Sequence, residues 1–87
     1  MGMLVKFTKS FQKEYKKASQ KIKSQFDDRL KIFLVNEFAV VLNNHALTGK
    51  YKGHRSINVT GDWRVIYRVS LGIAFFEALG THSQLYG

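Results

Sequence analysis

No cysteine occurs among the 87 residues, which excludes disulfides, a thiol nucleophile and cysteine-ligated zinc, and fits a reducing compartment such as the cytoplasm. Acidic residues are scarce. Six Asp and Glu stand against 14 Lys and Arg, for a formal net charge of +8, and such an excess points to a polyanion, an acidic protein partner, or both. No apolar run approaches the ~18 residues of a membrane span, and Met1 to Ser10 lacks a signal peptide's apolar stretch, so a soluble, unexported protein is expected. A Gly-rich phosphate loop, a Ser-His-Asp order and paired carboxylates are also missing. His45, His54 and His82 form no close pair of metal-ligating spacing, so neither a metal nor another cofactor is expected.

What the chain does contain is enough large apolar surface to fold: 45% hydrophobic and 14% aromatic residues, too many for a disordered segment. With no repeat, linker or low-complexity stretch, residues 1–87 read as a single domain. Leu4 to Phe7 is a short apolar strand, after which Thr8 or Ser10 can cap a helix. Phe11, Tyr15 and Ala18 recur at helical spacing, with Lys9, Lys13, Lys16 and Lys17 on the other faces. A break near Ala18 to Lys21 precedes a long helical pattern, Ile22, Phe26, Leu30, Phe33, Leu34, Phe38 and Val41, ended by Asn43 and Asn44. Asp27 stands four residues before Lys31, the favourable order for a helical ion pair. Val35, Ala39, Val40 and Leu42 lie off the stripe, so the last turns are either deeply buried or covered by a partner.

His45 to Gly53 reads as a loop, and beyond it the period changes from 3.6 to 2. Ile57 and Val59 alternate with polar neighbours; Gly61-Asp62 forms a turn; Trp63, Val65, Tyr67 and Val69 alternate with Arg64, Ile66 and Arg68; Gly72 allows a second turn before Ile73 to Leu79. The class is α+β: a strand, two helices, then three antiparallel strands.

Two basic sets stand out. Residues 1 to 25 carry seven lysines and one acid, Glu14, which is either a solvated helix face or a phosphate-contacting one. Lys50, Lys52, Arg55, Arg64 and Arg68 lie on the loop and strands. Arg64 and Arg68 share one face of their strand, about 13 Å apart at ~3.3 Å per residue. They either grip phosphate bidentately or pair with Glu77 or Asp62. Trp63 and Tyr67 are most simply core residues. His82 follows Gly80-Thr81 and stands four residues before Tyr86, and a histidine is the side chain suited to exchange a proton with a ribose hydroxyl or a leaving oxygen.

Four stretches are familiar together: N-H-A-L-T-G-K-Y-K-G from Asn44, R-S-I-N-V from Arg55, D-W-R-V-I-Y from Asp62, and L-G-T-H-S-Q-L-Y-G from Leu79. They resemble the YafQ branch of the RelE/ParE superfamily of type II toxin-antitoxin toxins. That resemblance implies a RelE-like fold, a ribosome-dependent endoribonuclease that cuts messenger RNA by metal-free 2'-OH transesterification, and a cognate antitoxin. The family's site matches His45, Asp62, Trp63, His82 and Tyr86. Asn58 stands where a second strand histidine is expected and Ala78 where an arginine is, so Arg64 and the nearby Arg55 are expected to substitute in stabilising charge. His82 with either His45 or Asp62 would share the proton transfers, Tyr86 would orient a base, and Lys50, Lys52, Arg68, Trp63 and the lysines of the first helix would contact RNA or ribosome. An acidic, partly disordered antitoxin is expected on the first helix and on Val35 to Leu42. The same two departures leave open a ParE-like toxin that binds a protein such as DNA gyrase, or a catalytically decayed RNA-binding member.

Overall fold

Thr8 separates the first strand from the first helix, its hydroxyl accepting the free Phe11 N–H at 3.1 Å, as a short polar side chain does where a helix leaves its first donors unpaired. The computed structural model describes residues 3–87, so Met1 and Gly2 of the expected 1–87 domain lie outside it. Its elements are β1 (Leu4–Phe7), α1 (Lys9–Lys17), α2 (Gln20–Val35), β2 (His45–Ala46), β3 (Arg55–Asn58), β4 (Trp63–Ser70), β5 (Ile73–Thr81) and α3 (His82–Tyr86). Ser19 caps α2 as Thr8 caps α1, through the Ile22 N–H, which realises the expected break.

The second helix is shorter than its apolar pattern predicts. Asn36 turns its side-chain oxygen to the Phe38 N–H at 3.0 Å, offering the backbone a local turn in place of the next helical bond. α2 therefore stops at Val35, and a single tight turn over Val40–Leu42 follows. Asn43 does adopt the left-handed conformation, φ 45°, but it closes that turn instead of α2. Asp27 likewise departs from expectation: its carboxylate accepts the Tyr15 hydroxyl at 2.9 Å, and the ion pairs among the described residues belong to Glu77.

The sheet has five strands in the order β1-β5-β4-β3-β2, with β1 parallel to β5 and the others antiparallel. The expected three strands are all present; β2 is only two residues long, and the parallel pairing of β1 is invisible to local pattern. One face carries Ile57, Val65, Tyr67, Ala74, Phe76 and Leu79 against Phe11, Phe26 and Phe33 of the helices. Phe33 sets its ring edge-on to both Tyr67 and Phe76, at 5.1 and 5.2 Å. A bulge makes this face possible: Ile66 pairs with Ala78 but Tyr67 with Phe76, so Glu77 is an extra residue on β5. Phe76 and Leu79 are three apart, which in a regular strand would send them to opposite faces; the bulge brings both into the core.

The other face is also partly covered. Ile66 is 1% exposed and Leu85 of α3 6%, where the alternation alone puts Ile66 with the arginines in solvent. Val69, expected in the packed row, is 46% exposed near the far end of the ladder. Glu77 accepts His54 Nε2 at 2.8 Å and Arg68 Nε at 2.5 Å. Burial alone pushes its carboxyl up, but the two hydrogen bonds and the charges behind them outweigh burial, and the net shift is down.

A carboxylate with a lowered folded value contributes stability that is complete above its ordinary value of 4.5 and is lost as pH falls through the lowered one. Glu77→Gln should therefore cost roughly 1 kcal/mol at neutral pH, and its Tm should fall less than that of the wild type between about pH 5 and about pH 3; equal slopes would refute this. At the β4–β5 turn Leu71 is held at φ 52° and is 98% exposed, a conformation that costs leucine more than asparagine. Leu71→Asn should raise stability by roughly 0.5–1 kcal/mol, read as a Tm gain of about 2–8 °C.

Candidate active site

The β4–β5 ladder runs to Trp63↔Thr81, so the turn before β4 and the segment after β5 end side by side. The Asp62 carbonyl accepts the His82 N–H at 3.0 Å, tying the start of α3 to that turn. Thr81 and Gln84 form a reciprocal cap, Gln84 N–H to Thr81 Oγ1 at 3.2 Å and Thr81 N–H to Gln84 Oε1 at 2.9 Å. α3 then folds back across β5. Glycine leaves room beneath it: a Cβ at Gly80 would lie 3.1 Å from Gln84 Oε1 and 3.3 Å from Leu85 Cδ2, so these side chains would have to give by a few tenths of an ångström.

Between α3 and the β2 segment lies a cleft of about 360 Å³ lined by His45, Leu47, Thr48, Arg64, His82 and Tyr86. Four of the six candidate catalytic residues thus meet at one place. His82 and Tyr86, one helical turn apart, hold their rings at a centroid distance of 4.7 Å. Arg64 is fixed through Nη1, which donates to the Thr60 and Gly61 carbonyls at 3.2 and 2.8 Å. Those contacts orient the guanidinium without neutralising it. His45 Nδ1 lies 2.9 Å from the Asn43 carbonyl oxygen; a carbonyl only accepts, so Nδ1 carries the proton and the neutral ring leaves Nε2 as an acceptor.

The remaining candidates lie elsewhere. Arg55 pairs with Tyr67 in the ladder, whereas Arg64 pairs with Asn58, and partners share a face, so the two arginines project to opposite sides of the sheet. Arg55 donates to Asn44 Oδ1 at 2.7 Å and stacks over Phe38 at 5.3 Å; the expectation that it works beside Arg64 is overturned by the pleat. Asp62 is exposed and joins the site through its backbone; its carboxylate does not line the cleft. Trp63 packs against the core. Arg68 is engaged by Glu77 and lies over Phe75 at 4.6 Å, the ion-pair alternative for that residue. Lys50 and Lys52 are exposed, Lys50 on the turn over Gly49–Tyr51 and Lys52 just after it, with Lys50 Nζ lying 5.2 Å over the Tyr51 ring. Lys9, Lys13, Lys16 and Lys17 are exposed on α1, which packs on the opposite face of the sheet from the cleft.

Sequence reasoning overlooked Leu47 and Thr48 as lining residues. It also overlooked Tyr51, whose ring meets Tyr86 edge-on at 6.0 Å and whose hydroxyl donates to the Leu85 carbonyl at 3.2 Å. Only a long-range packing relation places Tyr51, but the T-x-x-Q spacing from Thr81 to Gln84 is a readable start signal for α3. A larger groove of about 530 Å³ is lined mainly by Phe7, Phe11, Tyr15, Phe26 and Leu30, together with Gln12, Lys16, Lys23 and Asp27; none of its lining residues is a histidine or an arginine.

Residues 3–87 match the family model described as "Bacterial toxin of type II toxin-antitoxin system, YafQ". The mRNA interferase toxin YafQ of Escherichia coli K12 is 40% identical over 47 residues, 54% of this chain and 51% of that protein. Its counterpart from E. coli strain B / BL21-DE3 is 30% identical over 89 residues, covering 95% of each chain. A solved chain of the E. coli DinJ-YafQ toxin-antitoxin complex superposes with a TM-score of 0.80 at 25% identity, covering 100% of both chains. By its sequence over nearly its whole length, and by the fold that brings His45, Arg64, His82 and Tyr86 to one cleft, this chain belongs to the YafQ family of type II toxins.

Proposed function

We propose that this chain is a ribosome-dependent endoribonuclease that cuts messenger RNA in the cytoplasm, and that the cleft of His45, Arg64, His82 and Tyr86 is where it cuts. The observation that carries this reading is that two imidazoles and a guanidinium without an ion-pair partner among the described residues line one cavity. His45 Nε2 takes the proton of the ribose 2'-OH; the 2'-oxygen attacks the adjacent phosphorus and the bond to the 5'-oxygen breaks; His82 returns a proton to that leaving oxygen. The products are a 2',3'-cyclic phosphate and a free 5'-OH. Arg64 faces the charge that builds on the non-bridging oxygens, a fixed electrostatic contribution of the kind that often dominates. Tyr86 presents a ring for a base to stack on. No carboxylate is needed for either proton, which favours His45 over Asp62 as the base.

With a single arginine in the cleft and Ala78 opposite Ile66 on the ladder, alignment of the message must come largely from the ribosome, where the exposed lysines of α1, Lys50 and Lys52 supply contacts that weaken with salt. In a translating extract, mapped by primer extension, His82→Ala and Arg64→Ala should each lower cleavage by about 10²- to 10⁴-fold while leaving the thermal transition in place. Wild-type activity in both variants would remove the assignment, and DNA-damage signalling without loss of message would favour a protein-binding toxin instead.

The partner that silences this activity is an acidic antitoxin that orders as it binds. Val35, Phe38 and Val40 are 86, 60 and 95% exposed, apolar side chains open to solvent in a chain of net charge +8, suited to an amphipathic acidic segment. Val35→Asp and Val40→Asp should each weaken binding of the antitoxin at least about 10-fold by calorimetry, and unchanged affinity in both would place the antitoxin elsewhere.

A further inference from the structure

The segment from Asn36 to His45 connects α2 to the cleft, and a closed set of hydrogen bonds ties it to the sheet. Asn44 Nδ2 donates to the Glu37 carbonyl at 3.0 Å and to the Tyr67 hydroxyl at 2.6 Å. Tyr67 donates in turn to Glu37 Oε2 at 2.6 Å, and Arg55 Nε donates to Asn44 Oδ1 at 2.7 Å. Every polar atom of the Asn44 amide that these bonds use is therefore directed, and the amide cannot rotate without breaking at least two of them. Tyr67 is fully buried; burial first, and its bond to Glu37 second, raise its hydroxyl well above the ordinary tyrosine range, so it remains a donor at any working pH.

Asn44 lies between Asn43 and His45 in the chain. Asn43 is held at φ 45°, and it is the Asn43 carbonyl that accepts from His45 Nδ1 at 2.9 Å. A locked side chain at position 44 thus fixes the backbone that presents this carbonyl. We propose that Asn44, held by Tyr67, Glu37 and Arg55, is a positioning residue that keeps His45 in its Nδ1-protonated form, with Nε2 free at the cleft. This assigns Arg55 a task on the face of the sheet where it lies: it acts through Asn44 on His45, without touching the substrate. The part of the inference that concerns cleavage rests on the reading of the cleft given above; the part that concerns the imidazole does not.

The test is nitrogen-15 NMR of the imidazoles in the free full-length protein, near pH 8 where a histidine ring is neutral, with the His45 signals assigned by their loss in His45→Gln. In the wild type Nδ1 should resonate as the protonated nitrogen and Nε2 as the bare one. Asn44→Ala removes the three bonds made by the amide and leaves Tyr67 on Glu37; Arg55→Met removes one and keeps an apolar contact on Phe38, so it guards against a variant that does not fold. Both should move the two signals toward the averaged values of a free imidazole, and both should lower cleavage at saturating toxin by about 10- to 100-fold with little change in the concentration giving half-maximal rate. A wild-type His45 protonated on Nε2, or folded variants whose His45 signals match the wild type, would overturn the proposal. A changed tautomer with unchanged cleavage would support the positioning role and instead remove His45 as the base.

Discussion

β4 and β5 leave a two-residue turn at Leu71–Gly72 and stay paired to Trp63↔Thr81, and that ladder is the constraint on which the site depends. Arg64 rides on one strand, and His82 follows directly from the end of the other. Because antiparallel partners share a face, Arg64 and the chain leaving Gly80 are delivered to the same side of the sheet. The bulge at Glu77 adjusts this arrangement by one residue, so that Phe76 and Leu79 both serve the core. A one-residue slip in the ladder would exchange core and cleft residues wholesale, since side chains alternate with period two.

A single sheet in so small a protein has to serve two purposes. One face is given to the aromatic core beneath α1 and α2, and the opposite face, partly covered by α3, carries the cleft that α3 and the β2 segment border. Few acids are available to neutralise the basic residues, and the ion pairs among the described residues all converge on Glu77. Most of the +8 charge is therefore presented to solvent, which suits association with an anionic polymer and makes it sensitive to salt. The cleft adds the one feature a general basic surface lacks, acid-base groups held beside a guanidinium without an ion-pair partner among the described residues.

Much of this was legible in the sequence, for reasons that are local. Thr8 caps the helix it precedes, the break near Ala18 to Lys21 separates two helices, the 3.6-residue stripe through Phe26 and Phe33 marks a buried helix face, and the alternation from Trp63 to Tyr67 marks a strand. The motifs around His45, Asp62 and His82 pointed to the family. The end of α2 was not legible, because the apolar pattern continues past Val35 and only the Asn36 side chain interrupts the backbone. α3 was missed although Thr81 and Gln84 spell its cap, because five residues are too few to show a period.

Composition, spacing and capping chemistry act over a few residues, so the chain by itself determined its class, most of its elements, its charge and the identity of its candidate catalytic groups. Which of those groups work together was decided only in three dimensions. Arg55 and Arg64 are nine positions apart and equally basic, yet strand pairing sends one toward Asn44 and the other into the cleft. His45 and His82, 37 positions apart, line one cavity because a bulged ladder and a turn tied to the Asp62 carbonyl bring them there. The face a side chain occupies is set by register, and register is a property of two strands together.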